Sequence, residues 1–182
     1  MRVISGTAKG RKLKAVPGDT TRPITDRVKE AVFDILGANV REARFLDLFA
    51  GTGGVGIEAL SRGARAAVFV EKGRAALDTI RFNLEHTQLA PRGRIVRADV
   101  FDFLRGAPQA FDYVYVAPPQ HQELWATTLR LLDAQPAWLA TAGEIIVQIH
   151  PREDQPLELQ HFEPIDERRY GSTRLIFYAH RE

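Results

Sequence analysis

This 182-residue sequence predicts an α/β fold: one mostly parallel, seven-stranded sheet with an antiparallel C-terminal strand, preceded by an N-terminal β-hairpin and helix. Three observations carry that prediction. From about residue 43, short apolar runs alternate with stretches of helical periodicity, which calls for right-handed crossovers and helices on both faces of the sheet. The first apolar run passes into a helix through a glycine-rich turn, "DLFAGTGGVG". The last two runs follow one another through a turn near Gly171 with no helix between them, which predicts an antiparallel edge.

In chain order, "RVISG" and "GRKLKAV" alternate around a glycine-containing turn and predict the hairpin, with Lys9, Arg11, Lys12 and Lys14 at or near its tip. Val28, Ala31, Val32, Ile35 and Leu36 share one helical face, and that helix ends at Gly37 with Thr25 as its N-cap. "RFLDLFA" is then a strand, "GVGIEALSRG" a helix, "AAVFVE" a strand, and "GRAALDTIRFNLEHT" a helix with Leu77, Ile80 and Leu84 on one face. "GRIVRAD" is a strand, "VFDFLRG" a short helix and "FDYVYVA" a strand that runs into two prolines. A helix from about His121 to Asp133 follows, in which Trp125, Thr128, Leu129 and Leu132 have core spacing. "GEIIVQIH" is a buried strand, and "LQHFEPIDERRYG" and "STRLIFYAH" make the edge.

Composition narrows the functional classes. Hydrophobic residues make up 45% and charged residues 26%, the balance of a globular domain. There is no cysteine, so disulfides and thiolate metal sites are ruled out, and no metal site is expected. No apolar run approaches a membrane span, and a cytoplasmic protein with no membrane partner is expected. The net charge of +2 conceals an asymmetry: residues 1 to 29 carry eight Lys/Arg against two Asp, and the rest of the chain is net −4. A concentrated basic arm predicts a polyanionic partner.

Gly51, Gly53 and Gly56 fit G-x-G-x-x-G, a loop used by both dinucleotide and adenosyl cofactors at the carboxyl ends of strands. Asp47 distinguishes them. It lies four residues before Gly51 and is expected to point toward the loop, where a carboxylate repels a pyrophosphate and attracts an ammonium and a sulfonium. That favours S-adenosylmethionine over a nicotinamide dinucleotide. Glu71 ends the second strand, where an acid can take hydrogen bonds from ribose hydroxyls. Asp99 ends the third, where its carboxylate or the Val100 amide can read the exocyclic amine of an adenine. Each acid alone could be a helix cap; three at successive strand ends make the stronger case.

The fourth strand ends in "APPQ" at the topological switch point, where ligands bind. The prolines carry no N–H and hold the backbone extended, leaving the carbonyls around Ala117 and Pro118 free to face a substrate. "DLFAGTGGVG", "VEK", "RADVFDFL" and "APPQ" resemble the ordered motifs of class I (Rossmann-like) methyltransferases. Over nearly the whole chain, "MRVISGTAKGRKL", "RPITDRVKEAVFDIL", "LDLFAGTGGVGIEALSRGA" and "YGSTRL" resemble the RsmD family. The resemblance implies methylation of the exocyclic amine of one guanine in bacterial small-subunit (16S) ribosomal RNA. It further implies that Asp47, Gly51, Gly53, Glu71, Asp99 and Val100 hold the cofactor, with Thr25 and Arg27 close to its methionine end. Residues 1–40 would form an RNA-binding hairpin and helix, with Arg2, Lys9, Arg11, Lys12, Lys14 and Arg22 gripping RNA, and residues 41–182 the methyltransferase domain.

The catalytic slot, Ala117, Pro118, Pro119 and Gln120, departs from the family's pattern at both ends. Ala117 replaces an Asp or Asn that accepts an amine hydrogen, and Gln120 replaces an aromatic that stacks on the flipped base. Pro118 keeps its carbonyl, and Gln120 or His121 could provide a substitute acceptor or planar surface. Two readings follow: an active enzyme on ribosomal RNA or an assembling small subunit, or an RNA- and cofactor-binding relative with weak or no catalysis. The retained cofactor residues favour the enzyme. A DNA adenine methyltransferase shares the fourth motif, but the hairpin and "RPITDRV" argue for the RNA family.

Overall fold

The computed structural model describes residues 1–18, 23–120 and 123–182. Its elements are α1 (Asp26–Leu36), β1 (Arg44–Leu48), α2 (Gly54–Ser61), β2 (Ala66–Glu71), α3 (Arg74–His86), β3 (Gly93–Arg97), α4 (Val100–Arg105), β4 (Phe111–Val116), α5 (Leu124–Ala134), β5 (Leu139–Ile149), β6 (Phe162–Tyr170) and β7 (Thr173–His180). The sheet order is β3-β2-β1-β4-β5-β7-β6. Strands β1 to β5 pair in parallel, and β7 lies antiparallel between β5 and β6. The order reverses between β1 and β4, so the crevice above those two strands is the switch point.

Because helices cover both faces, the inner strands bury apolar side chains on both of them. Phe45, Phe69, Tyr115, Ile146 and Phe177 pack with residues of α1, α2 and α3. Leu46, Val70, Val116, Ile145 and Val147 pack with residues of α4 and α5, and Trp125 is buried there as its spacing predicted. At Gly56 in α2 an added Cβ would stand 2.4 Å from the Phe69 ring, so only glycine lets this helix close on β2.

The N-terminal hairpin is narrower than its alternation suggests. One pair, Arg2 and Lys12, forms a bridge, flanked by Val3 N–H to Arg11 carbonyl at 2.9 Å and Leu13 N–H to Met1 carbonyl at 3.0 Å. The segment does not stand apart, since Val3, Ala8 and Leu13 are buried in the same core as Phe45 and Phe69. Its fixings come from the body of the fold. Glu58 of α2 accepts the Ile4 and Ser5 amides at 2.8 and 3.0 Å, and Ser61 Oγ accepts the Ala8 amide at 2.9 Å. Asn83 of α3 accepts the Lys14 amide at 2.8 Å and donates to the Lys14 and Thr52 carbonyls. The turn passes so close to α2 that a Cβ at Gly6 would fall 1.9 Å from the Ser61 carbonyl oxygen.

The buried stripe of α1 differs from the apolar pattern: Val28, Lys29, Val32, Phe33 and Leu36 are buried, whereas Ala31 and Ile35 are only partly so. Lys29 can go inside because its ammonium lies 3.3 Å from Glu58 and donates to the Arg2 carbonyl at 2.5 Å. Burial lowers the Lys29 pKa, and the Glu58 charge opposes that shift. The other corrections are small. α5 begins at Leu124, three residues later than the pattern suggested, and ends at Ala134.

Candidate active site

The carboxyl ends of β1, β2 and β4 open into a cleft of about 1120 Å³. The glycine loop, Glu71, Asp99, Val100 and the Ala117–Gln120 segment all contribute to its wall. Met1, residues 15–18, Pro23 and Ile24 close another side, so the N-terminal segment is part of the site's rim.

Asp47 lies beneath the glycine loop, 2% exposed, and its Oδ2 accepts the Gly56 amide at 3.1 Å. Burial pushes its carboxyl up to about 8; the Gly56 bond opposes that shift and the Glu71 charge adds to it. Burial thus favours the neutral acid in the free site, and a cationic group at the cleft floor favours its ionisation. Glu71 organises the loop from β2: its Oε1 accepts the Gly51 amide at 3.2 Å, and its Oε2 accepts the Lys72 and Gly73 amides at 2.7 and 3.0 Å. Oε2 has both acceptor sites taken, whereas Oε1 accepts one bond and has a site left, so Glu71 can position the loop and still take a ligand hydroxyl. Asp99 caps α4 through Oδ1, to the Phe101 and Asp102 amides at 2.8 and 3.4 Å, with Lys72 Nζ 3.8 Å from Oδ2.

Ala117, Pro118, Pro119 and Gln120 line the cleft together. Two polar residues beside them did not stand out in the sequence. The Tyr115 hydroxyl, fully buried, donates to Gln148 Oε1, and both residues line the cleft. Burial, reinforced by the Asp47 charge, holds the Tyr115 phenol well above its ordinary pKa, so it remains a donor. The only sequence signal for the pair was a lone glutamine inside the apolar run "GEIIVQIH".

Thr25 and Arg27 do not line the cleft, although Pro23 and Ile24 do. The Thr25 hydroxyl is occupied as the N-cap of α1, accepting the Val28 amide at 3.2 Å, and the Arg27 guanidinium lies 5.8 Å over the Tyr170 ring. Among the basic residues, Arg2 pairs with Asp26 at 3.3 Å and Arg11 donates to the His86 carbonyl at 2.6 Å. Lys14 stands 5.2 Å over the ring of Phe82, an exposed phenylalanine that stacks on His86. Lys9 and Lys12 are exposed. Arg22 and His121 lie outside the described residues. Among the described residues no cluster of His, Asp and Glu has the grouping to hold a metal ion.

The model of a family described as conserved hypothetical protein 95 matches residues 1–179. YlbH of Bacillus subtilis strain 168 is 38% identical over 185 residues, covering 100% of both chains. Ribosomal RNA small subunit methyltransferase D of Escherichia coli K12 is 37% identical over 148 residues, 81% of this chain and 74% of the relative. Among solved structures, a hypothetical protein of Thermus thermophilus, TTHA0928, superposes with a TM-score of 0.81 at 33% identity, over 97% of this chain and 98% of that one. An RNA methyltransferase of Salinibacter ruber, solved with S-adenosyl-L-homocysteine, shares the fold alone: TM-score 0.64 and 15% identity, over 86% of this chain and 92% of that one.

Proposed function

The chain belongs to the conserved hypothetical protein 95 family, the RsmD family of methyltransferases, and from that premise we propose that it transfers a methyl group from S-adenosylmethionine to the exocyclic N2 of a guanine in small-subunit ribosomal RNA. The observation that carries the reading is the meeting, in one cleft, of the glycine loop, Glu71 and the Ala117–Gln120 segment. The donor set suits the cofactor. Asp47 answers a cationic ammonium, Glu71 the ribose hydroxyls, and Asp99 with the Val100 amide the adenine edge. When bound, S-adenosylmethionine supplies a methyl group activated by a sulfonium.

The remaining work belongs to the chain's own groups. A guanine amine is a poor nucleophile because its lone pair is delocalised into the ring, and acceptors on its two hydrogens are needed to turn that lone pair toward the methyl group. The Pro118 carbonyl is one such acceptor. Residues 1–40 supply the RNA-facing surface and residues 41–182 the catalytic unit, with the two joined through Glu58, Ser61 and Asn83. A second reading, a binding relative with weak catalysis, is favoured by one observation: position 117 has no side-chain acceptor.

Mass spectrometry of ribosomal RNA from cells lacking the protein separates the two readings. The expected result is the loss of one N2-methylguanosine from the small-subunit RNA, restored by the gene on a plasmid; an unchanged inventory sinks the enzymatic reading. The cofactor assignment has its own check. Glu71→Ala removes charge-assisted bonds at about 1.5–3 kcal/mol each, so calorimetry is expected to show S-adenosylmethionine binding roughly ten-fold weaker or more. Unchanged affinity would displace Glu71 from the site.

A further inference from the structure

Position 117 lacks a side-chain acceptor, and the sheet register identifies what stands beside it. β4 and β5 run parallel with Tyr115 opposite Ile146 and Val116 opposite Val147. Ala117 and Gln148 are the next residues of the two chains beyond that last pair. Side chains alternate between faces, so Ala117 shares the face of Tyr115, and Gln148 shares the face of Ile146. Tyr115 and Ile146 belong to the same core, and Ala117 packs against it. Ala117 and Gln148 thus follow the last registered pair on one face, and both line the cleft.

Gln148 is half-buried in a strand whose neighbouring residues, Ile145, Ile146, Val147 and Ile149, are all apolar and buried, and it lines the cleft. Burying an amide in such surroundings is costly unless it is hydrogen-bonded. Its Oε1 accepts the Tyr115 hydroxyl. An amide oxygen has two acceptor sites, so this bond orients the group and leaves one site open.

We propose that Gln148 accepts one hydrogen of the target amine, doing from β5 what a side chain at 117 would do from β4, with Tyr115 as the residue that positions it. This rests on the methyltransferase reading above. The amine nitrogen forms a bond to the methyl carbon as the carbon–sulfur bond breaks, and that bond pair passes to sulfur, which becomes a neutral thioether. The surplus proton leaves the nitrogen for water. Gln148 is unchanged by the reaction; with the Pro118 carbonyl it fixes the direction of the attacking lone pair.

Single-turnover transfer to small-subunit particles from cells lacking the protein tests the assignment, alongside cofactor affinity and melting temperature. Gln148→Ala is expected to slow transfer about a hundred-fold, the scale of losing one positioned hydrogen-bond partner, with cofactor affinity unchanged. Gln148→Glu retains an acceptor and keeps most of the rate. Because Gln148→Ala strands the Tyr115 hydroxyl, the double variant Tyr115→Phe with Gln148→Met removes both polar groups together and is expected to be as slow. Ala117→Asn added to Gln148→Ala restores at least ten-fold. Transfer by the parent with Gln148→Ala within three-fold of it overturns this assignment alone, as does a loss that follows cofactor affinity or melting temperature. Absence of transfer by the parent overturns the enzymatic reading and this one with it.

Discussion

Glu58→Ala is expected to lower the unfolding free energy by about 3–5 kcal/mol and the melting temperature by on the order of 10 °C. The Glu58 carboxylate is fully buried and takes four partners: the Ile4 and Ser5 amides, Arg62 Nε at 2.9 Å and Lys29 Nζ at 3.3 Å. Truncation strands two amides and leaves the Lys29 ammonium, also fully buried, without its counter-charge. Lys29→Met is expected to cost less, because Glu58 then keeps Arg62 and both amides. Denaturant titration of the two variants checks the asymmetry. A Glu58→Ala loss under about 1 kcal/mol, the worth of a surface pair, would show that the cluster is solvated rather than structural.

The second large effect is on RNA affinity. With Lys9, Arg11, Lys12 and Lys14 all replaced by alanine, the slope of log affinity against log salt is expected to flatten by about 3 to 4, since each phosphate contact releases close to one counterion. Affinity at moderate salt falls on the order of a hundred-fold or more. S-adenosylmethionine affinity is expected to stay at the parental value. Filter binding across a salt series measures both quantities for RNA, and an unchanged slope moves the RNA surface elsewhere. The basic residues of β6 and β7 are a weaker alternative. Arg168 pairs with Asp166 at 3.2 Å, and Arg174, 17% exposed, is held by Glu167 at 2.6 Å and by Asp154.

The sheet was legible because parallel strands covered on both faces leave long apolar runs, and because "DLFAGTGGVG" marks where the first of them turns into a helix. The loop and the acids at three strand ends could be read for the same reason: local spacing fixes which end of a strand they occupy. What stayed hidden depends on distant pairings. Lys29 reads as a solvent-facing residue until Glu58, 29 positions away, is known to lie against it. Gln148 reads as an interruption in a strand until the fold brings it to the Tyr115 hydroxyl in the cleft wall. Thr25 was legible as a cap, and that use of its hydroxyl was the one the structure displays.

The attachment of the N-terminal segment separates two tasks that surface loops often combine. Glu58, Ser61 and Asn83 hold it by the main-chain amides of Ile4, Ser5, Ala8 and Lys14, groups that nearly every amino acid possesses. The exposed Lys9 and Lys12 side chains contribute none of these bonds. Anchorage is therefore indifferent to what those two positions carry, and their charges can be rewritten while the segment remains seated. The constraint falls instead on the receiving side and on the turn, where Gly6 passes against the Ser61 carbonyl. Such a segment can acquire a different ligand preference by point substitutions without re-solving the problem of how to dock.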